Sequence, residues 1–424
     1  MNFETQIDRQ LIRAQAGSVR YVLAHIEAPA APPREDRLPA NLAFVLDRSG
    51  SMSGEKIALA REAVITTLHS FRTEDRFALV VYDNIVDVVM PSTPASAKAR
   101  RQAERLLRGI GARGSTDLGG GWLAGCEQVA EALSEQSVAR ALLLSDGLAN
   151  VGITDRDELA GHARDLAARG VATSTFGVGR DFDERLLEQM AEQGGGNFYY
   201  IESAQQIPDY IASEVGEALE VVAQDVRLEI EVPKGVWVSS LNDATTSQDG
   251  SLTTVSLGSL VSEQVVDAVL QVTLPRGSLG QEQRLSVALR DRDGVLDSAS
   301  GPAELSFTYA PHRDNDRQAR DHEVDREVAK LYAARARREA AEMNRRGNFK
   351  EAQRIVLGTA RRISEYADGD PELLALVAEL RSLVEMHMVH MSAVALKSER
   401  SLSWNQLHSR TVSGQAKKVS DEEE

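Results

Sequence analysis

Between residues 38 and 222, short apolar runs alternate with segments in which apolar residues recur every three or four positions. The runs at 41–47, 77–82, 139–145 and 171–178 are typical of buried strands, and the intervening segments are typical of amphipathic helices. Strands that alternate with helices favour parallel pairing, since each helix carries the chain back across the sheet. We therefore predict an α/β unit with a doubly wound, mostly parallel sheet.

The same patterns place the remaining elements of this stretch. The run 77–82 and the run 86–89 flank Asp83 and Asn84, a turn signal that predicts an antiparallel hairpin and hence an edge strand. A further short strand is expected at 197–201. Helices are expected at 54–71, 95–108, 118–135, 155–169, 183–193 and 203–222.

After residue 223 the apolar period becomes two. Val226, Leu228 and Ile230 alternate with polar residues, which predicts a strand with one buried face. The same alternation recurs at 251–260, 263–274, 284–290 and 303–309. Several short strands without helices between them predict an antiparallel β-sandwich. The strand predicted at 17–28 has no helical partner, so we expect it to complete this sandwich, with the α/β unit inserted in it.

The last quarter of the chain is charged and helical in pattern. Apolar residues at helical spacing predict helices over 314–394, and from Lys397 the apolar residues become sparse. The expected organisation is a strand and linker, the α/β unit, the sandwich, a helical hairpin or bundle, and a disordered tail. Their expected bounds are 1–37, 38–222, 223–311, 312–396 and 397–424.

Composition excludes several classes of function. The 424-residue chain has a formal net charge of −16, which disfavours nucleic acids and anionic membranes as partners. The single cysteine, Cys126, rules out an internal disulfide and a cysteine-based zinc site. No apolar stretch approaches the roughly 20 residues that span a bilayer. The first residues lack the basic and apolar pattern of a secretory signal, so we expect a cytoplasmic protein.

Polar side chains follow two predicted strands at the point where each ends. Residues 47–51 (DRSGS) come after one apolar run and residues 145–147 (SDG) after another, while Thr116 lies in a glycine-rich loop. The carboxyl ends of parallel strands are where open α/β sheets bind ligands. The candidate ligands are Asp47, Ser49, Ser51, Thr116 and Asp146. Such a set of oxygen atoms without His or Cys suits a hard divalent cation, Mg²⁺ before Zn²⁺.

Asp47-x-Ser49-x-Ser51, followed by Thr116 and Asp146, resembles the metal-ion-dependent adhesion site of von Willebrand factor A domains, and residues 44–52 look like those of bacterial members. The resemblance extends over about residues 38–220. It implies that the hydroxyls coordinate Mg²⁺ directly, with Mn²⁺ and Ca²⁺ as alternatives, and that the two acids act directly or through water. It also implies a vacant coordination position that accepts an Asp or Glu carboxylate from another protein.

Similar cytoplasmic proteins are adaptors, often for MoxR-type AAA+ ATPases or for kinase–phosphatase systems. The resemblance thus favours a non-enzymatic, metal-dependent protein-binding module that acts as an intracellular adaptor or scaffold. One alternative is a metal-dependent hydrolase or phosphotransferase, for which Asp83 and Asp117 would be the spare carboxylates. Another is a purely structural α/β unit, with the function in the helical region.

Simpler explanations exist for each segment alone. Asp and Ser are common in turns and helix caps, and Asp117 is expected to cap the helix that begins at Leu118. The glycine-rich segment 109–114 spells G-x-G-x-x-G, but it follows a predicted helix rather than a strand. A dinucleotide site is therefore not indicated there. The metal interpretation depends on the segments acting together.

Overall fold

The computed structural model describes residues 2–33, 36–134, 136–296 and 301–419. Within this described part, the chain forms two compact units. The α/β unit is Pro32–Val221, and the composite unit combines the chain up to Ala31 with the chain from Val222 onward. The α/β unit is therefore inserted between two segments of the composite unit.

The first elements along the chain belong to the composite unit. They are β1 (Asn2–Ile7), β2 (Leu11–Arg13) and β3 (Ser18–Glu27). Only the third of these matches a strand predicted from periodicity. The first two are short and largely half-buried, so they lack the strict alternation that reveals a strand in sequence.

The α/β unit alternates strands and helices as predicted. Its strands are β4 (Ala40–Asp47), β5 (Arg76–Tyr82), β6 (Val86–Pro94), β7 (Val138–Ser145), β8 (Ala172–Val178) and β9 (Gly195–Ile201). Its helices are α1 (Glu55–Leu68), α2 (Ala97–Arg108), α3 (Leu118–Ala130), α4 (Arg156–Ala167), α5 (Glu184–Gln193) and α6 (Ile207–Leu219). Short 3₁₀ turns at Gly50–Met52 and Ala204–Gln206 precede α1 and α6.

The sheet of the α/β unit runs in the order β6-β5-β4-β7-β8-β9. The pairs in this order are parallel except β5 with β6, which form the predicted antiparallel hairpin at an edge. Every residue of β4 and β7 is buried, as expected of central strands covered on both faces. The chain moves to one side of β4 for β5 and to the other side for β7, which makes the carboxyl end of β4 a topological switch point.

Glycine allows α3 to lie close against this sheet. A Cβ on Gly121 would collide with the ring of Tyr82, and one on Gly125 would collide with the side chain of Val45. Since α3 begins directly after Thr116 and Asp117, this close contact fixes the position of the loop that carries them. The approach of helix to sheet therefore bears on the geometry of the candidate site.

The composite unit continues with a β-sandwich. Its strands after the insertion are β10 (Val221–Glu231), β11 (Trp237–Ser240), β12 (Thr246–Asp249), β13 (Leu252–Val261), β14 (Val265–Leu274), β15 (Glu282–Arg290) and β16 (Ala303–Ala310). One sheet has the order β1-β3-β14-β11 and the other β12-β13-β10-β15-β16-β2. The strand predicted at 17–28 does join this sandwich, since β3 pairs antiparallel with β14. The short pairing of β16 with β2 is parallel.

Helices complete the composite unit. They are α7 (His312–Arg317), α8 (His322–Arg345), α9 (Phe349–Ser364), α10 (Pro371–Met386) and α11 (Ala393–Leu407). Val324, Val328 and Leu331 of α8 pack on Leu23 and Val269 of the sandwich. The helices and the sandwich thus share a core.

The prediction of a disordered tail from Lys397 is wrong for the described residues up to 419. α11 extends to Leu407, and its Trp404 is only 1% exposed. Beyond the helix, the backbone amide of Val265 donates to the carbonyl of Lys417 over 2.9 Å. Widely spaced apolar residues anchor this segment, which explains why its sequence resembles a solvated tail. Residues 420–424 lie outside the described residues.

In the described part of the chain, no helix has both the length and the apolar character required to cross a membrane.

Candidate metal centre

The five candidate residues lie on three loops at the carboxyl edge of the parallel sheet. Asp47 is the last residue of β4, and Asp146 follows the last residue of β7. β4 and β7 are neighbours in the sheet, so their ends deliver both acids to the switch point. Thr116 directly precedes the Asp117 cap of α3. The site therefore forms where the topology of an open α/β sheet places ligands.

Asp47 organises the first loop from a fully buried position. Its Oδ1 accepts a hydrogen bond from the backbone amide of Ser49 over 2.7 Å. Its Oδ2 accepts one from the hydroxyl of Ser145 over 2.7 Å. The loop after β4 and the end of β7 are thus tied to the same carboxylate. Sequence reasoning did not identify Ser145, although it stands directly before Asp146.

The other acid is connected to the serine hydroxyls. The hydroxyl of Ser51 donates to Oδ1 of Asp146 over 2.6 Å. The hydroxyl oxygens of Ser49 and Ser51 are 3.0 Å apart. Because Ser51 has one proton and gives it to Asp146, Ser49 is the donor in that pair. Oxygens from the first and third loops therefore form one continuous hydrogen-bonded row.

The hydroxyl of Thr116 lies near this row of oxygens, on the side of Gly147. A Cβ built on Gly147 would lie 3.5 Å from Oγ1 of Thr116 and 3.8 Å from Oγ of Ser51. The two hydroxyls therefore face a space that the missing side chain of Gly147 leaves open. The amide of Thr116 is held by the side-chain oxygen of Asn150 over 3.0 Å, and its carbonyl accepts from the amide of Asn150 over 3.2 Å. Sequence reasoning missed the roles of Gly147 and Asn150.

An ion-pair cluster next to the site fastens the loops to one another. The buried carboxylate of Asp83 accepts from Nε of Arg48 over 3.0 Å and from Nε of Arg113 over 2.8 Å. Burial raises the pKa of Asp83, but these hydrogen bonds and charges hold it below its usual value. Two backbone hydrogen bonds join the same loops. The amide of Arg113 donates to the carbonyl of Arg48 over 2.7 Å, and the amide of Gly50 donates to the carbonyl of Gly114 over 3.2 Å. The loops that present the hydroxyls are therefore held in place by ion pairs and backbone hydrogen bonds among themselves.

The site concentrates buried negative charge. Asp47 and Asp146 are 0% and 1% exposed, whereas Ser51 is exposed. Burial raises the pKa of Asp47, hydrogen bonds from Ser49 and Ser145 lower it, and the nearby charge of Asp146 raises it further. Two buried carboxylates in one site are unfavourable unless a cation compensates them. The acids lie beneath and a hydroxyl lies at the surface, so the site opens outward.

One cation is already present at the site, and sequence reasoning missed it. The ammonium group of Lys56 forms an ion pair with Oδ2 of Asp146 and lies 3.4 Å from the carbonyl oxygen of Ser51. Lys56 is the second residue of α1, so the helix start positions it over the loop. Lys56 comes five residues after Ser51, a spacing that does not by itself show that its side chain returns to Asp146.

The donor set fits a hard divalent ion. Hydroxyl and carboxylate oxygens are the ligands that Mg²⁺ and Mn²⁺ prefer, and the open space beside Gly147 lies against two of the hydroxyls. Among the described residues, no cluster of three or more His, Cys, Asp or Glu side chains could hold a metal. A metal at this site would therefore depend on serine and threonine hydroxyls.

The spare carboxylates expected from the sequence are both engaged. Asp83 pairs with the two arginines described above, and its side chain is 1% exposed. Asp117 accepts from the amide of Gly120 over 2.9 Å, which confirms that it caps α3. Each carboxylate therefore has a structural role, and the geometry gives no support to either as the base of a hydrolase.

Comparison with known proteins identifies the α/β unit. Residues 41–213 match the family model of the von Willebrand factor type A domain. The uncharacterized protein YfbK of Escherichia coli (strain K12) is 32% identical over 220 residues, covering 51% of this chain and 38% of YfbK. The human inter-alpha-trypsin inhibitor heavy chain H4 is 32% identical over 224 residues, covering 49% of this chain and 24% of H4. The chain thus spans well under half the length of these curated relatives.

Solved structures resemble nearly the whole chain. A von Willebrand factor type A protein from Catenulispora acidiphila has a TM-score of 0.73 at 17% identity, covering 95% of this chain and 96% of that chain. The ArnB paralog VWA2 from Sulfolobus acidocaldarius has a TM-score of 0.57 at 17% identity, covering 92% of this chain and 99% of that chain. At these identities the likeness establishes the fold alone.

Proposed function

Residues 41–213 form a von Willebrand factor type A domain, and on that premise we propose that the protein binds a partner protein through a divalent metal ion. The ion is held by Asp47, Ser49, Ser51, Thr116 and Asp146. The observation that carries the proposal is the row of oxygens from Ser49 through Ser51 to Asp146, with Thr116 facing the same open space.

The acids and the hydroxyls have different roles in holding the ion. Asp47 and Asp146 supply negative charge from beneath, while the hydroxyls of Ser49, Ser51 and Thr116 supply neutral oxygens. A divalent ion bound there supplies a positive centre with a coordination position open to a carboxylate oxygen. Ser51 is exposed, so an Asp or Glu on a partner's surface loop can reach that side of the site. Mg²⁺ is the proposed physiological ion, with Mn²⁺ and Ca²⁺ as alternatives.

The location of the protein and the kind of partner it binds are proposed from the family resemblance. We place the protein with cytoplasmic, bacterial-type members that act as non-enzymatic adaptors or scaffolds. A MoxR-type AAA+ ATPase or a kinase–phosphatase system is the proposed kind of partner. This extension rests on the resemblance of residues 44–52 and on the charge of −16, which disfavours nucleic acid and membrane partners.

Affinity capture from the native cell tests the proposal. Wild-type protein is used as bait in Mg²⁺ and in chelator, beside Thr116→Ala and the exposed control Asp209→Ala. We expect partners that are captured in Mg²⁺ by the wild type and by Asp209→Ala, and lost in chelator and with Thr116→Ala. Identical sets of captured proteins under all conditions would remove the proposal.

A further inference from the structure

We propose that Lys56 is a built-in competitor for the metal ion, and that its ammonium group lowers the affinity of the site for divalent cations. The inference rests on the proposed function, because it concerns the same set of ligands. It adds a residue that sets how much metal is needed before a partner can bind.

The geometry places Lys56 at the site rather than beside it. Its Nζ pairs with Oδ2 of Asp146 and also reaches the carbonyl oxygen of Ser51, at 3.4 Å. A Cβ on Gly179, after β8, would lie 3.8 Å from the same Nζ. The side chain of Lys56 is 30% exposed, so the ammonium group lies between the buried acid and solvent.

Both oxygens of Asp146 already have partners in this arrangement. Oδ1 accepts the hydroxyl of Ser51, and Oδ2 accepts the ammonium of Lys56. A divalent ion that draws on Asp146 must therefore compete with Lys56 for the carboxylate. The neighbouring Arg48 does not take this role, because Asp83 and Asp87 hold its guanidinium.

The charge of Lys56 affects both metal binding and partner binding. Lys56 offsets one of the two negative charges contributed by Asp47 and Asp146, which weakens the attraction for a dication. When the ion displaces it, the ammonium group remains tethered to α1 at the edge of the site. The loaded site then has a net positive charge, which favours an acidic partner over a neutral one.

Calorimetric titration with Mn²⁺ tests this inference on the full chain. Lys56→Gln removes the charge at a partly exposed position, and Lys98→Gln on the exposed face of α2 is the matched control. We expect Lys56→Gln to bind Mn²⁺ about tenfold or more tightly than the wild type, because a cation next to the ligands is gone. Lys98→Gln is expected to change the affinity by less than about twofold, since a distant surface charge is screened.

Two further variants separate a direct effect from a change of shape. Lys56→Arg keeps the charge and is expected to stay near the wild-type affinity. In an Asp146→Asn background, removing Lys56 is expected to bring a smaller gain than in the wild type, because competition for the Asp146 carboxylate is gone and only the repulsion between the two cations remains. Thermal unfolding of each variant confirms that it is folded.

The outcomes distinguish this inference from the proposed function. Equal Mn²⁺ affinity in wild type and Lys56→Gln, or weaker affinity in the variant, overturns the role of Lys56 and leaves metal binding intact. An equal gain in Lys98→Gln also overturns it. Absence of Mn²⁺ binding in every variant overturns both proposals.

Discussion

At the scale of single residues, Asp47 and Thr116 differ in their surroundings at the site. Asp47 accepts hydrogen bonds at both carboxylate oxygens, from the amide of Ser49 and the hydroxyl of Ser145. Thr116 instead faces the open space beside Gly147. The acids therefore shape the loops and supply charge. The hydroxyls of Ser49 and Ser51 are hydrogen-bonded in the row that ends at Asp146, and an ion would have to draw on their remaining lone pairs.

Gly147→Ala tests whether that open space is the metal position. The added methyl would lie in ordinary contact with Oγ1 of Thr116 and Oγ of Ser51, at 3.5 and 3.8 Å, so the fold is expected to tolerate it. We expect Mn²⁺ affinity to fall about tenfold, because the methyl crowds the ligands that an octahedral ion must arrange around itself. Titration calorimetry measures the affinity, and an unfolding curve checks stability. Unchanged affinity would place the ion elsewhere.

That the candidate residues lie near one another could be predicted, because each follows a recognisable strand or precedes a recognisable helix; that they bind a metal stays a prediction. The roles of Lys56 and Gly147 could not be predicted, since nothing in their spacing shows that one reaches Asp146 and the other leaves a gap. Asp83 was identified as part of a hairpin turn and as a spare carboxylate. Its pairing with Arg48 and Arg113 depends on how three loops meet, which periodicity does not report.

At the scale of elements, the position of α3 follows from its glycines. Gly125→Ala would push a Cβ into Val45, at the centre of the sheet. We expect the free energy of unfolding to drop by about 1–3 kcal/mol, because a packed helix–sheet contact must open. Gly161→Ala on α4 is the matched control, as nothing lies within 4 Å of its added Cβ. That variant is expected to be up to about 1 kcal/mol more stable than wild type.

Chemical denaturation measures both glycine variants. Equal effects of the two substitutions would contradict the close packing of α3 on the sheet. Loss of metal affinity in Gly125→Ala alongside the loss of stability would further show that the helix positions the Thr116 loop.

The residue directly after α11 is a histidine whose ionisation bears on stability. His408 stacks on Trp404 with ring centroids 3.7 Å apart, and its Nδ1 lies 2.9 Å from the carbonyl of that residue. Burial lowers the pKa of His408 to about 4, with the charge of Arg410 acting in the same direction. An unfolded histidine has a pKa of about 6.5, so the unfolded state takes up the proton first.

The free energy of unfolding is therefore expected to fall as the pH drops from about 6.5 to about 4. His408→Gln should remove this part of the pH dependence, because glutamine has no proton to gain. Denaturation curves across that pH range, for wild type and variant, measure it. The same slope in both proteins would show that His408 does not contribute.

Elements with strong periodicity were predictable, and those anchored by sparse contacts were not. β4 and β7 each contain a continuous apolar run, at residues 42–46 and 141–144, because both faces of these strands are covered. From Lys397 onward, the apolar residues of α11 are Leu402, Trp404 and Leu407, and this part is held by individual contacts such as those of the buried Trp404. β1 and β2 were likewise missed, as their half-buried residues do not alternate.

At the scale of the molecule, the insertion of one unit into another could be inferred from a single unpartnered strand. β3 pairs with β14, and the paired residues lie from 238 (Glu27 and Val265) to 256 (Ser18 and Leu274) positions apart in the sequence. The grouping of the C-terminal helices with the sandwich was not foreseen. It depends on contacts between α8 and the strand residues Leu23 and Val269, which no local pattern encodes.

Anomalous diffraction from crystals of the protein grown or soaked with Mn²⁺ would locate the metal ion itself. We predict a peak within about 2–2.5 Å of the hydroxyl oxygens of Ser49, Ser51 and Thr116, which Thr116→Ala would weaken or abolish. A peak at another place in the molecule, or none at a Mn²⁺ concentration that saturates calorimetric binding, would contradict the claim that these residues hold the metal.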